Sequence, residues 1–350
     1  MQKHYYSCWK IVLVCALFSF VLTKTIEANH GPGSGGGPVS TLPALTPRAG
    51  SFSLSFNSSM TELESISTRR LSDQGLKAGA FDAIDRTILH TTSAFYGVTD
   101  DFTLELSIGW FESINFRESH GEDGHGGGGH EEEEHEEGEE EEEEHEEVGE
   151  MVELLKANPD GLTDTWLTGK YRFFRGPQGH YAFILGVKFP TGRTSTQNNE
   201  GEQLEAVEQP GSGSFDFAAG IAYSRWLSKD WMLHSSLKYT LKTKGSRDYE
   251  IGDRIDMGVS SSYQLTPKNK FPNFATNGDL SLRQLFRDKQ DSTDLRNSGS
   301  TTVFVSPGFN MGITKNFGIN ASISVPIYQK MLGRQQETKY QASVGIDFHF

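Results

Sequence analysis

From Ser51 to Phe350, apolar and polar residues alternate with period two in one segment after another. Phe52, Leu54 and Phe56 share a face, as do Leu104, Leu106, Ile108 and Trp110, and then Tyr181, Phe183, Leu185, Val187 and Phe189. Trp231, Leu233, Leu237, Tyr239 and Leu241 repeat the pattern, and the chain closes on Tyr340, Ala342, Val344, Ile346, Phe348 and Phe350. The residues between are polar or small: Met232, His234, Ser236, Lys238 and Thr240 in one segment, Asp216, Ala218, Gly220 and Ala222 in another. Neighbouring Cβ atoms of an extended chain point to opposite faces, so each segment separates two media. The pattern predicts twelve strands, at 50–57, 86–98, 102–116, 162–175, 180–190, 213–226, 231–243, 253–265, 278–287, 301–313, 317–328 and 339–350. The first, second and ninth alternate least clearly.

A soluble sandwich sets core against water, and a transmembrane barrel sets lipid against a polar lumen. Most segments run ten to fourteen residues, enough to cross a bilayer at a tilt, where soluble strands average about five to six. Connections alternate in length. Short turns at Gly97–Asp101, Gly176–Gly179, Leu227–Asp230 and Thr314–Asn316 adjoin aromatics such as Phe102, Trp226, Trp231 and Phe317, and the intervening loops are long. Short periplasmic turns, long external loops and an aromatic girdle define the outer-membrane plan, and an even strand count returns both termini to the periplasm. The expected fold is therefore an all-β, antiparallel transmembrane barrel over residues 50–350, with a long His/Glu-rich external loop at 118–160.

The segment before the barrel fits export. Lys3 and Lys10 precede an apolar run from Ile11 to Thr23, and Ala28 offers a small residue for cleavage, so residues 1–28 read as a signal peptide. Both cysteines, Cys8 and Cys15, fall inside it, which removes a disulfide framework and a Cys-ligated zinc site from the mature chain. Residues 29–49, rich in Gly and Pro, read as a flexible periplasmic arm.

Charge then alters the picture in one place. The formal net charge is −15, yet Glu118–Glu150 alone holds eighteen Asp/Glu and no Lys or Arg, so the rest of the chain is near neutral. No basic cluster exists to track phosphates, which excludes a nucleic-acid partner. Within the insert, His120, His125, His130, His135 and His145 recur at five-residue intervals, with Glu140 in the missing step. Imidazole and carboxylate are ligands for Zn, Cu, Co or Ni, but this spacing lines no single helix face. Weak, exchangeable metal contact is the expectation, against the plainer reading of a solvated acidic loop; no cofactor is required. Val148, Met151, Val152 and Leu155 stand at helical spacing and predict a short amphipathic helix returning to the rim.

Several short stretches carry a family likeness: Gly186-Val-Lys-Phe-Pro190-Thr-Gly192, Gln209-Pro-Gly-Ser-Gly-Ser-Phe-Asp216, Tyr249-Glu-Ile-Gly-Asp253, and Val325-Pro-Ile-Tyr328 with Gly333. Together, over about residues 30–350, they resemble the MetA-pathway phenol-degradation family of outer-membrane transporter-like barrels. The resemblance implies a channel for small, often hydrophobic or aromatic solutes and supplies no residue-level site. The His/Glu insert departs from the family core.

The strand register turns Glu105, Lys170, Arg172, Lys188, Asp216, His234, Lys238, Lys242, Arg254, Asp256, Lys339 and Asp347 toward the lumen. Charge in a pore selects solutes, and in a narrow barrel it also pairs across the wall. A lipid-facing Ser/His enzyme of the outer-membrane phospholipase kind is the rival class. It finds no Gly-x-Ser-x-Gly elbow and, among His90, His234 and His349, no clear partner set. The expected function is passive diffusion of a small solute across the outer membrane, with metal handling by the acidic loop as the alternative. The expected partners are membrane lipid, lipopolysaccharide, the solute, and the barrel-assembly machinery, which would read the final strand ending in Phe350.

Overall fold

The computed structural model describes residues 41–72, 80–120 and 153–350. Twelve long antiparallel strands form one sheet that closes on itself. In chain order they are β1 (Phe52–Leu63), β2 (Arg86–Thr99), β3 (Phe102–Ile114), β4 (Thr165–Gly176), β5 (Gly179–Phe189) and β6 (Asp216–Trp226). Then follow β7 (Trp231–Leu241), β8 (Arg254–Gln264), β9 (Asn273–Leu285), β10 (Ser300–Gly312), β11 (Phe317–Met331) and β12 (Thr338–His349). Each strand pairs with its chain neighbours, and β1 pairs with β12 from Ser53↔His349 to Leu63↔Thr338, leaving no free edge. Phe350 N–H donates to Phe52 O at 2.9 Å at the seam.

The period-two pattern maps onto the wall as expected. Leu104, Leu106, Ile108, Trp110, Phe183, Leu185, Leu237, Val325 and Val344 all stand exposed on the outer face. The inner face carries Ser224, Ser260, Ser306 and Asp279, all nearly inaccessible. A closed barrel inverted in this way, apolar outside and polar within, is a membrane protein of the Gram-negative outer membrane.

Several boundaries differ from the sequence reading. Strand β1 runs six residues past Asn57, because Ser58–Leu63 completes the ladder with β12 and β2 despite its polar composition. Strand β9 starts at Asn273, five residues early, with Thr276 and Gly278 on its outward face in place of large apolar residues. The expected helix near 148–155 is not formed by its described end. Leu155 lies in a strand, Glu153–Ala157, which pairs with Phe116–His120 and through it with Ala80–Ala83. Partner hydrogen bonds along the Phe116–His120 edge outweigh a one-face apolar spacing of four residues. This small sheet caps the outer mouth, with Phe116 and Leu155 buried. The remaining loop residues 121–152, the leader 1–28 and arm residues 29–40 lie outside the described residues.

Candidate lumenal site

The described part of the arm does not hang in the periplasm; it runs inside the barrel. Its base is tied to the periplasmic β2–β3 turn, where Thr46 Oγ1 donates to Asp100 O (2.7 Å) and Ala49 N–H to Asp100 Oδ1 (2.9 Å). From there the segment climbs along the β5–β9 side of the wall. Ala44 N–H donates to Ser224 Oγ (2.8 Å), Leu42 N–H to Ser236 Oγ (3.0 Å), and Thr41 Oγ1 to Asp279 Oδ2 (2.5 Å). Each bond satisfies a backbone or hydroxyl group that would otherwise be stranded away from water. Ala44 and Leu42 pack on Ala182, Ile184 and Ala222, an apolar patch inside an otherwise polar lumen. Ala218, Gly220 and Gly258 keep the same wall thin, and a methyl group at Gly258 would overlap Thr41 Oγ1.

The opposite side of the lumen stays open. Strands β1, β9, β10, β11 and β12 enclose a cavity of about 520 Å³, lined by Asn57, Ser281, Asn310, Asn320, Ser343 and Arg283 among others. A smaller cavity of about 180 Å³ lies toward the periplasmic end beside Glu105 and Lys170.

The predicted lumenal residues fall into three groups. At the outer mouth, Lys188 Nζ lies 3.0 Å from Asp164 Oδ2 and 2.5 Å from Asp216 Oδ2, and Lys242 Nζ lies 2.9 Å from the same Asp216 oxygen. Ser212 and Ser214 hydroxyls complete the acceptors' shells. Burial alone would raise the Asp164 pKa. The Ser212 N–H and hydroxyl and the Lys188 ammonium outweigh it and hold the carboxyl below its usual range. This closed set neutralises itself and shapes the mouth. At the periplasmic turn, Arg172 pairs with Asp101 at 2.7 Å and is nearly buried. In the middle, Lys238, Arg254 and Arg283 surround Asp256. Lys170 Nζ donates to Leu45 O of the internal segment (3.4 Å), Asn320 Nδ2 donates to Asp347, and Lys339 reaches Ser65 at the rim.

His234 is 2% exposed and meets Ser224 Oγ at 2.8 Å through Nδ1, with Ser224 also serving Ala44. That Ser–His contact faces the internal segment and not lipid. Sequence reasoning missed Asp164, Asp279, Arg283 and the whole internal segment. Asp279-x-Ser281-x-Arg283 opposite Leu280 and Leu282 was a readable alternation, and the Ala/Gly face of β5–β6 was a readable vacancy for a plug.

The His/Glu ligands His125, His130, His135, Glu140 and His145, and the His120 side chain, lie outside the described residues. Among the described residues no group of three or more His, Cys, Asp or Glu is arranged to hold a metal.

Comparison with known proteins adds a lineage to this geometry. The family described as "Putative MetA-pathway of phenol degradation" matches residues 126–330, more than half the chain. The chain belongs to that family. Among solved structures, the COG4313 outer membrane channel from Pseudomonas putida F1 superposes with a TM-score of 0.55 at 13% identity, covering 93% of this chain and 100% of that one. The Ralstonia pickettii toluene transporter TbuX gives 0.42 at 11% identity, covering 92% and 98%. No curated protein matches.

Three of the four family stretches now have a physical role: they build the loops at the outer mouth, whereas Val325–Tyr328 lies within β11. Gly192 and Gly211 approach so closely that a Cβ on Gly192 would lie 2.6 Å from the Gly211 Cα. Gln209 holds Thr196 N–H through Oε1 (2.8 Å) and returns Nε2 to Leu204 O (3.0 Å). Tyr249 Oη donates to Asp288 (2.6 Å), and Asp253 Oδ1 accepts Lys242 N–H (2.8 Å). The 190–215 and 242–253 loops are also tied to each other, Ser246 N–H donating to Ser212 O at 3.0 Å and Arg247 Nη1 to Gln203 O at 3.3 Å.

Proposed function

We propose that this protein is a passive outer-membrane channel for small organic solutes, aromatic compounds among them. The observation that carries this reading is the cavity of about 520 Å³ on the side of the lumen opposite the internal segment, within a closed, lipid-facing barrel. Its size suits a molecule of one aromatic ring, at the lower end of the usual ligand-pocket range of roughly 300–1,000 Å³. Ser and Asn side chains on its wall would exchange hydrogen bonds with a hydroxylated solute, and Phe304 supplies a ring face. The family's phenol-degradation description and the fold shared with an outer-membrane channel support the same reading.

The internal segment sets the bore. Its bonds to Ser224, Ser236 and Asp279 are each worth about 1 kcal/mol net, more where a carboxylate accepts. The segment therefore has a definite seat and a reachable release. The acidic loop has no part in this reading. Assembly through the C-terminal strand, with Phe350 as its signal, belongs to it.

Accumulation of radiolabelled phenol by cells of a porin-deficient Gram-negative host tests the proposal. Expression should raise the initial rate several-fold over cells carrying the same barrel with the 41–47 segment cross-linked to the wall as an Ala44→Cys, Ser224→Cys pair. Equal rates in the two would count against it.

A further inference from the structure

The mid-lumen charges are not balanced. Lys238, Asp256 and Arg283 are cross-strand partners in one continuous row, and the row extends through Gly220 and Ile184 to Lys170 on β4. Arg254, two residues from Asp256 on β8, joins them from the same inner face. Asp256 is the only carboxylate in this row. Arg254 already places Nε and Nη2 on its Oδ1 at 2.8 and 2.6 Å. Arg283 Nε stands 3.6 Å from that same oxygen, buried and without a hydrogen-bond partner. Lys238 Nζ is 3.8 Å from Oδ2, which itself accepts no hydrogen bond. Glu105 stands beside Lys170 on the neighbouring strand and faces Lys238 from across the lumen. Asp279 is engaged by Thr41, and Asp347 by Asn320. Four cations thus share two carboxylates.

Arg283 lines the larger cavity, and its guanidinium carbon lies 5.6 Å from the centroid of the Phe304 ring. A guanidinium whose Nε–H has no hydrogen-bond partner, beside an aromatic face in a Ser/Asn-walled cavity, suits a planar ring that carries an anionic oxygen group. Rings of Arg and Lys are also how pores favour anions. Resting on the channel reading above, we infer that the Arg283–Arg254–Lys238 cluster is an anion-selecting subsite for small aromatic acids, with Arg283 the residue that meets the anionic group. Such a site holds an anionic ring in the larger cavity and passes it along the cationic row toward Lys170.

The test is influx of two membrane-impermeant probes of similar size, benzenesulfonate and benzyltrimethylammonium, into phosphatidylcholine vesicles holding the full-length barrel. At about 150 mM salt, charges beyond ~8 Å are screened, so the comparison reads the charges that lie close to the permeating probe. Benzenesulfonate should enter about tenfold faster than the cation. Arg283→Gln with Lys238→Gln should bring the two rates within about twofold, with migration of the folded barrel on unheated gels unchanged. Arg283→Lys, which keeps charge and loses the planar fork, should retain part of the preference. Equal entry of the two probes into wild-type vesicles, or faster entry of the cation, overturns the anion subsite and leaves the channel standing. Entry of neither probe through the folded wild-type protein overturns both.

Discussion

At the residue scale the most consequential side chains are those whose charge is buried. Asp216 is fully inaccessible and holds two ammonium groups, Lys188 and Lys242, at the outer mouth. Removing one member of such a set leaves a desolvated charge unanswered, a cost of about 3 kcal/mol. Asp216→Asn should therefore lower the urea midpoint for unfolding in detergent. Lys188→Met with Asp216→Leu, which removes both charges of that contact, should cost less than the sum of the single changes. Gly258 makes a sharper probe of the lumen. A methyl group there would overlap Thr41 Oγ1 without disturbing the lipid face. Gly258→Ala should leave barrel stability nearly unchanged, displace the internal segment at Thr41, and raise single-channel conductance; an unchanged conductance would mean that the segment at Thr41 does not limit the bore. These residues were unequally legible. Lys188, Asp216, Lys238, Arg254 and Asp256 showed themselves by strand parity, because a charge opposite a lipid-facing row must face inward. Arg283 and Asp279 were harder to see, because Thr276 and Gly278 break the outward apolar row of β9 and leave only Leu280 and Leu282 to set its parity.

At the element scale, strands with large outward residues were readable almost to the residue, since lipid enforces the alternation at every second position. Strand β1 was not, because its inward Ser53, Ser55, Asn57 and Ser59 resemble a loop once Phe56 is passed. The internal segment was unreadable for another reason: Thr41, Leu42 and Ala44 are held by bonds to distant wall residues, and nothing in their local sequence announces such partners. The small outer sheet carries a prediction of its own. Asp82 and Glu208 face one another where the 190–215 loop meets the sheet, with Glu118 and Glu205 close by. Burial first, and then these like charges, pushes both carboxyls well above their usual range. A raised carboxylate pKa means that the docked state binds more protons than the undocked one, so docking weakens as pH rises from about 4 through neutrality. Amide exchange at 200–210, followed by mass spectrometry, should accelerate between pH 5 and about 8 beyond its intrinsic pH dependence. Asp82→Asn should flatten that added slope.

At the scale of the whole molecule, the net charge of −15 comes from the residues 118–150 and not from the rest of the chain, and the described lumen is basic at mid-height. The architecture combines a lipid-facing wall, a mouth of loops tied to one another, and a lumen divided between an internal segment and an open polar cavity. The wall and the mouth were visible as pattern and motif. The division of the lumen required the tertiary structure, because it depends on which strands leave room and which fill it. Single-channel recording in planar bilayers, comparing the wild-type protein with a variant lacking residues 41–47, addresses the central claim directly. Small, discrete openings are expected for the wild type and steps several-fold larger for the deletion, with both proteins equally heat-modifiable on gels. Silence from both folded barrels, or steps of equal size, would contradict that claim.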